Sequence, residues 1–277
     1  MDTKKIVALD FDGVVSDSVY ECYVMAMKAF RDLGGKLTES SEIEKEFKKA
    51  RSLVKVAEDY YVILKMIEEN PKIDFDSITN EKFNAEKEKY KQKFEEFNKK
   101  FYQHRSEMQK KDEHGWYNLL REMPGVAKET KKIMKKKKVV IATTRDRDST
   151  AKLLKNYGIE IAPEDIVSKE VFPDKRDQLR VISVKYNVPI KNIILVDDLL
   201  DQVKSVKGIG AKAAMADWGY STPTQRKEAK KEGIPVIQKE DFSKQVMQIL
   251  QNEYIKLLIY VLLAVLFLLI LNKLNII

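Results

Sequence analysis

The chain is poor in the residues that build disulfide frameworks and zinc sites. Its 277 residues include one cysteine and two histidines, so an internal disulfide is excluded and a zinc site of Cys and His ligands is not available. The single thiol, Cys22, fits a reducing compartment, and its place in an apolar helical pattern predicts a packing role. Neither a disulfide-stapled secreted domain nor a zinc enzyme is expected.

Signals for nucleic-acid binding and for export are missing as well. Basic residues outnumber acidic ones by 51 to 43, a net charge of +8, which would attract anionic substrates and lipid headgroups. Much of this excess lies in lysine runs such as 135–138, which we interpret as solvated helix ends. No aromatic-basic motif of a nucleic-acid module occurs. We therefore expect no nucleic-acid partner. Because no signal peptide precedes the first predicted strand, we expect a cytoplasmic catalytic domain.

Two aspartates follow the first apolar run of the chain. The run Ile6–Leu9 predicts a buried strand, and Asp10 and Asp12 come directly after it, where the chain turns at Gly13. Two carboxylates this close repel each other unless a cation neutralises them, and Mg²⁺ is a hard cation that prefers carboxylate oxygens. The sequence therefore predicts a Mg²⁺ site at this strand end.

Two later apolar runs, 139–142 and 193–196, also end in polar side chains. Hydroxyls at the first end can donate hydrogen bonds to a phosphate oxygen. Adjacent carboxylates at the second end require a cation or strong donors nearby. The polar residues are Thr143 and Thr144 after the first run, and Asp197, Asp198 and Asp201 after the second.

The pattern DxDGxxxDS of residues 10–18, together with these later segments, resembles the first, second and fourth motifs of the haloacid dehalogenase superfamily, whose members are mostly phosphatases. The resemblance covers residues 3 to about 240. It implies that Asp10 is the nucleophile, that Asp12 is the general acid and base, and that a hydroxyl holds the phosphoryl group. Thr143 matches that hydroxyl best, and Thr144 is its neighbour.

The resemblance also implies a lysine that neutralises the phosphoryl group and an acidic set that binds Mg²⁺. Lys175 stands at a suitable distance before the fourth motif, although Arg176 replaces the proline that usually follows this lysine, and Lys169 is the rival candidate. The implied metal ligands are Asp10, Asp12 through its backbone carbonyl, and the Asp197/Asp198 pair. Which member of that pair binds directly stays open, and Asp201 completes a DxxxD spacing with Asp197.

Strands that end in polar residues alternate with helical stretches, which predicts an α/β fold with a Rossmann-like parallel sheet. Ligands of such sheets bind at the carboxyl ends of the strands. We expect the core to span residues 1–17 and 124–250, with an α-helical cap inserted over 18–123. Caps of this kind select the substrate and exclude water.

Within the cap, apolar periodicity predicts one helix from Ser41 to Asn70 and another from Thr79 through Met108. Arg51 and Lys55 lie on the first of these two helices. They either contact the leaving group of the substrate or are ordinary surface charges. His104 lies on the apolar stripe of the second helix, which favours a packing role over a catalytic one.

The C-terminal end differs from the rest of the chain. Residues 257–271 are uninterrupted apolar and are bracketed by Lys256 and Lys273. This length is slightly below the ~20 residues that span a bilayer, but flanking lysines can snorkel to the interface. We predict a single membrane anchor over 254–277, with lipid as a partner and the catalytic domain in the cytoplasm. The alternative is a self-associating or core helix.

Together these patterns predict a Mg²⁺-dependent hydrolase of a small phosphomonoester that acts through an aspartyl phosphate and is tethered to a membrane. A phosphosugar mutase of the same superfamily keeps both aspartates and stays open, as does a catalytically silent membrane-tethered interaction module. A dehalogenase would not need Asp12, because a halide leaves without a proton. The sequence determines neither the substrate nor the oligomeric state.

Overall fold

The computed structural model describes residues 2–251, which form an α/β core covered at one edge by helices. The strands are β1 (Asp2–Leu9), β2 (Ser16–Asp17), β3 (Arg121–Glu122), β4 (Lys137–Ala142), β5 (Ile166–Val167), β6 (Ile193–Asp197), β7 (Lys212–Ala216) and β8 (Val236–Ile237). The helices are α1 (Val19–Asp32), α2 (Ser41–Lys49), α3 (Asp59–Glu69), α4 (Asn80–Tyr90), α5 (Phe94–Lys111) and α6 (Glu113–Asn118), followed by α7 (Val126–Met134), α8 (Arg147–Asn156), α9 (Lys175–Lys185), α10 (Leu200–Gly208) and α11 (Pro223–Lys231). We refer to α1–α6 as the cap helices.

The central sheet has six parallel strands in the order β5-β4-β1-β6-β7-β8. The central strand β1 is a continuous apolar run because helices cover both of its faces. Val7 and Leu9 pack in a cluster with α7, α8 and Phe242, whereas Ile6 and Ala8 pack in a second cluster with α9, α10 and α11. The predicted α/β class with a parallel sheet is confirmed.

The order of the strands places the polar strand ends side by side. From β1 the chain proceeds outward through β4 and β5, and it then returns to the other side of β1 with β6, β7 and β8. Such a reversal opens a crevice at the carboxyl ends of the central strands. The carboxyl ends of β1, β4 and β6 therefore meet beneath the cap helices.

The two connections between the sheet and the cap helices run beside each other. The short strand β2 leads from the sheet into α1, and it pairs antiparallel with β3, through which the chain returns. This two-stranded ribbon lies next to the domain boundaries at 17/18 and 123/124, which stay a prediction.

The prediction of one continuous helix over 41–70 is wrong. Helix α2 ends at Lys49, a 3-10 turn spans Ala50–Leu53, and α3 begins only at Asp59. The reason is the buried Asp59 carboxylate, which accepts hydrogen bonds from the backbone N–H groups of Lys55 and Val56 at 2.8 and 3.1 Å. These local bonds replace helical ones and leave a non-helical segment over residues 54–58.

The prediction of one helix from Thr79 through Met108 is also wrong. Helix α4 ends at Tyr90, a 3-10 turn spans Lys91–Lys93, and α5 follows. The two helices have different neighbours, since α4 packs on α3 whereas α5 lies along α1. Tyr90 is fixed at the break by a 2.7 Å hydrogen bond from its hydroxyl to Glu69.

Within residues 2–251, no helix has both the length and the apolar character needed to cross a membrane. The predicted anchor over 254–277, including its apolar run 257–271, lies outside the described residues.

Candidate active site

Asp10 lies one residue beyond β1, at the carboxyl edge of the sheet. Its backbone N–H donates to the carbonyl of Val196 on β6 at 2.9 Å, which keeps the chain in register past the end of the strand. The ammonium group of Lys175, the first residue of α9, donates to Asp10 Oδ1 at 2.6 Å and lies 3.3 Å from Asp197 Oδ2. The third contact of this ammonium is the carbonyl oxygen of Ala142. The predicted lysine Lys175 therefore contacts the predicted nucleophile.

Asp198 is enclosed by two glycines. A Cβ atom on Gly13 would lie 2.4 Å from Asp198 Oδ2, and one on Gly219 would lie 2.3 Å from Asp198 Cβ. Gly13 also has a φ of +87°, a left-handed conformation that L side chains avoid. On the remaining side, the backbone N–H of Tyr220 donates to Asp198 Oδ2 at 2.6 Å. The position of this carboxylate is therefore narrowly restricted.

The three carboxylates fit a divalent cation. Asp10, Asp197 and Asp198 each offer an oxygen within 4.8 Å of the others. Burial is the largest cause that raises the pKa of Asp10 to about 7, and burial together with the Asp197 charge raises the pKa of Asp198 to about 8. Asp198 Oδ1 is buried without a hydrogen-bond partner. An oxygen-preferring cation such as Mg²⁺ would satisfy this oxygen and keep the cluster ionised.

The two threonines after β4 differ in their contacts. Thr143 is buried, its N–H donates to Val167 at 3.0 Å, and its hydroxyl oxygen accepts from the N–H of Arg145 at 3.1 Å. Thr144 donates from its hydroxyl to the backbone carbonyl of Lys55 at 3.2 Å, and so joins the core to the cap helices.

The Asp12 side chain contacts a buried arginine. Arg145 Nη1 lies 3.0 Å from Asp12 Oδ1, and Arg145 Nη2 lies 3.2 Å from Glu21 Oε2 on α1. Glu21 is fully buried, where burial alone would raise its pKa, but the guanidinium groups of Arg105 and Arg145 outweigh this effect and hold the pKa at about 2. The only predicted metal contact of Asp12 is through its backbone carbonyl.

Two residues of the predicted set lie apart from the acidic cluster. Asp201 is partly exposed, and its carboxylate contacts the Lys55 ammonium at 2.5 Å and the Asn80 amide at 3.2 Å. Lys169 lies over the ring of Tyr102, and burial lowers its pKa to about 8. Of the two candidate lysines, it is Lys175 that contacts Asp10.

Arg51 and Lys55, each predicted to be either a contact of the leaving group or a surface charge, differ in their surroundings. Arg51 is buried, donates from Nη1 to the carbonyl of Val54 at 3.1 Å, and lies over the ring of Tyr220 with 4.5 Å to its centroid. Its Nε atom is buried without a hydrogen-bond partner. Arg51 is therefore not a surface charge, whereas Lys55 forms the partly exposed pair with Asp201. His104, for which a packing role is predicted, is partly buried, and its Nε2 atom lies 3.0 Å from the Asp32 carboxylate.

Two cavities lie between the cap helices and the sheet. The first adjoins Asp12 and is lined by Arg51, Arg105 and Arg145 among others. The second has a volume of about 400 Å³, and its walls include Tyr102 and Asn98 from the cap and Thr144 and Lys169 from the core. Thr144 lines both, so the cavities are neighbours. A small molecule in the larger one would lie next to the polar strand ends.

Sequence reasoning did not identify the buried charges Glu21, Arg105 and Arg145. A signal was present for two of them, because each is a charged residue on an apolar helical face. Glu21 precedes Cys22 and is four residues before Met25, and Arg105 is four residues after Phe101. Charges at such positions are rarely buried unless they are paired.

The chain is similar to a known protein family. A sequence profile described as haloacid dehalogenase-like hydrolase matches residues 4–210. No curated protein matches the chain.

Several solved structures share the fold. A predicted phosphoglycolate phosphatase from Haemophilus somnus has a TM-score of 0.58 at 14% identity, with 89% of this chain and 99% of that chain covered. A predicted phosphatase from Clostridium acetobutylicum has a TM-score of 0.59 at 12% identity, with coverages of 89% and 100%. A hydrolase from Pseudomonas syringae has a TM-score of 0.55 at 17% identity, with coverages of 86% and 92%.

The sequence profile spans most of the chain and includes all of the strand-end residues described above. The chain therefore belongs to the haloacid dehalogenase-like hydrolase family.

Proposed function

We propose that the protein is a Mg²⁺-dependent phosphomonoester hydrolase that acts through an aspartyl phosphate on Asp10. The observation that carries this proposal is the arrangement at the sheet edge. There the Lys175 ammonium contacts Asp10 at 2.6 Å, and Asp197 and Asp198 lie within 4.8 Å of the same carboxylate. A nucleophilic carboxylate, a fixed cation and an acidic metal site are the groups that phosphoryl transfer requires.

In the proposed reaction each side chain has a role that its position supports. One Asp10 oxygen forms a bond to phosphorus while the bond from phosphorus to the leaving oxygen breaks. Lys175 and Thr143 hold the phosphoryl oxygens, since an ammonium and a hydroxyl both donate hydrogen bonds. Asp12 gives a proton to the leaving oxygen, and later takes one from the water that hydrolyses the aspartyl phosphate. Mg²⁺ held by Asp10, Asp197 and Asp198, and by the Asp12 carbonyl, would offset the charge that develops on the phosphoryl group.

The leaving group of the substrate would occupy the space beneath the cap helices. A volume of about 400 Å³ suits a small phosphorylated metabolite. Arg51 is a candidate contact for that group, because its buried Nε lacks a partner and its side chain lines the smaller cavity beside Asp12. The substrate itself must be found by assay.

The test is an assay of the full chain with Mg²⁺ against a panel of phosphorylated metabolites. We expect free phosphate as the product, whereas an isomeric sugar phosphate would indicate the mutase alternative. Asp10→Asn should reduce turnover by several orders of magnitude, because an amide cannot form the acyl phosphate. Asp177→Asn, an exposed substitution on α9, serves as the control. If Asp10→Asn stays within about tenfold of the unmodified chain, the proposed nucleophile is wrong. If the chain hydrolyses none of the phosphomonoesters, the silent interaction module is favoured.

We further propose that the C-terminal segment tethers the catalytic domain to a membrane, with that domain in the cytoplasm. The support is the sequence of residues 257–271, which contains no charge and no helix breaker, so that one helix could satisfy its backbone groups in lipid. The full chain should fractionate with membranes and resist a carbonate wash. A chain that ends at Gln251 should not do so. Full-length protein that is monomeric in detergent-free buffer would contradict the anchor.

A further inference from the structure

A chain of buried charges connects Asp12 to the cap helices. Arg145 lies between the two ends, with Nη1 at 3.0 Å from Asp12 and Nη2 at 3.2 Å from Glu21. The Arg145 side chain is 1% exposed and that of Glu21 is 0% exposed. Because the two contacts use different nitrogens of one planar group, together they define the orientation of the guanidinium.

Glu21 is in turn held by other parts of the cap. Arg105 on α5 binds it through two nitrogens, at 2.7 and 2.9 Å, and the indole N–H of Trp116 on α6 donates to it at 3.2 Å. Arg105 also lies 3.2 Å from Asp146, the N-cap residue of α8 in the core. The orientation of Arg145 thus depends on side chains from three cap helices.

We propose that Arg145 is a positioning residue for Asp12, oriented from the cap by Glu21, so that proton transfer at Asp12 requires the cap helices to be in place. This inference rests on the proposed function. The ion pair uses Asp12 Oδ1 and leaves Oδ2 for the proton. A carboxylate that is free to rotate would spend part of its time turned away from the leaving oxygen, and a misplaced group loses catalytic efficiency.

The step that Arg145 would affect is the first phosphoryl transfer. Asp10 forms its bond to phosphorus, the leaving oxygen separates from phosphorus, and that oxygen takes the proton of Asp12. A leaving group that is a weak base departs without this proton, whereas a strongly basic one needs it. The proposal therefore predicts a defect that depends on the basicity of the leaving group, which a merely structural role for Arg145 does not predict.

The experiment compares kcat/KM for phenyl phosphate and p-nitrophenyl phosphate, which have similar shapes but a strongly and a weakly basic leaving oxygen. In Arg145→Gln we expect a loss on the order of 100-fold with phenyl phosphate, the scale of general acid catalysis, and of less than about tenfold with p-nitrophenyl phosphate. Glu21→Gln should also lower kcat/KM more for phenyl phosphate than for p-nitrophenyl phosphate. Arg180→Gln, an exposed arginine on α9, should leave both values unchanged.

The ratio of the two values within one preparation does not depend on how much of the protein is folded, so a partly unfolded variant still gives a result. If Arg145→Gln does not fold, Arg145→Lys replaces it, because an ammonium keeps the charge but cannot make the two-sided contact. Equal losses on both substrates, or no loss, would overturn the role of Arg145. An unmodified chain inactive on both substrates and on every other phosphomonoester would instead overturn the proposed function, and the inference with it.

Discussion

Replacing Gly13 with alanine tests the geometry of the acidic cluster without touching any of its carboxylates. At a φ of +87°, an alanine costs about 1–2 kcal/mol through backbone strain alone. Its Cβ would also lie 2.4 Å from Asp198 Oδ2, which is about an ångström closer than a normal contact. Asp198 cannot move away easily, because Gly219 and the N–H of Tyr220 confine it on its other sides.

We therefore expect Gly13→Ala to lose stability and also to lose affinity for Mg²⁺. The loss of affinity should be at least about 10- to 100-fold, since disturbing the groups that only support metal ligands already has this effect. The measurement is a Mg²⁺ titration of activity and of the thermal midpoint. A strain of about 1–2 kcal/mol should lower that midpoint by roughly 2–8 °C in a chain of this size.

Two other glycines separate the two effects. Gly34 has a nearly identical φ of +86° with no atom within 4 Å of an added Cβ, so Gly34→Ala should show the loss of stability without the loss of affinity. Gly219→Ala crowds the same carboxylate from a φ outside the left-handed region, and should show mainly the loss of affinity. If Gly13→Ala and Gly34→Ala reach half of their maximal activity at the same Mg²⁺ concentration, Asp198 is not confined as described, or it is not a ligand.

Two further predictions concern the charges of the cluster. In chelator, stability should fall as the pH rises from about 4 to about 8, because the raised pKa values of Asp10 and Asp198 mean that the folded state holds protons which the unfolded state has already lost. Mg²⁺ replaces those protons, so the increase in melting temperature that it causes should grow over the same range; an increase independent of pH would count against the site. Lys175→Ala should lower kcat by roughly 100- to 1,000-fold through loss of a donor to the phosphoryl group. The kcat of Lys169→Ala should stay within about tenfold of the unmodified chain. If steady-state assays give the reverse order, the roles of the two lysines are exchanged.

Local patterns in the sequence were sufficient for the class of fold and for the residues at the strand ends. A run such as Ile6–Leu9 is typical of a strand that is buried on both faces, and in a parallel sheet every such strand delivers its next residues to the same edge. The proximity of Asp10 and Asp197 therefore follows from the motifs and their order along the chain, and the family assignment and the hydrolase class agree with this expectation.

Local patterns were insufficient where a side chain competes with the backbone. The apolar stripe over 41–70 is real, but Asp59 accepts two backbone hydrogen bonds that end the helical ladder before it. Apolar periodicity contains no information about such a bond. The break matters for the site, because it places Arg51 against Tyr220 rather than on the surface.

The sequence by itself indicated the strand-end residues to which we assign the chemistry, because strand propensity and the spacing of the motifs are local properties. Only the tertiary structure decided how those residues are supported. It distinguished Lys175 from Lys169 by contact, separated Asp201 from the other aspartates, and joined Asp12 to Glu21 through Arg145. Arg145 and Glu21 are 124 residues apart in the chain, and a contact between residues so distant arises from the packing of the cap on the sheet, which no local pattern encodes.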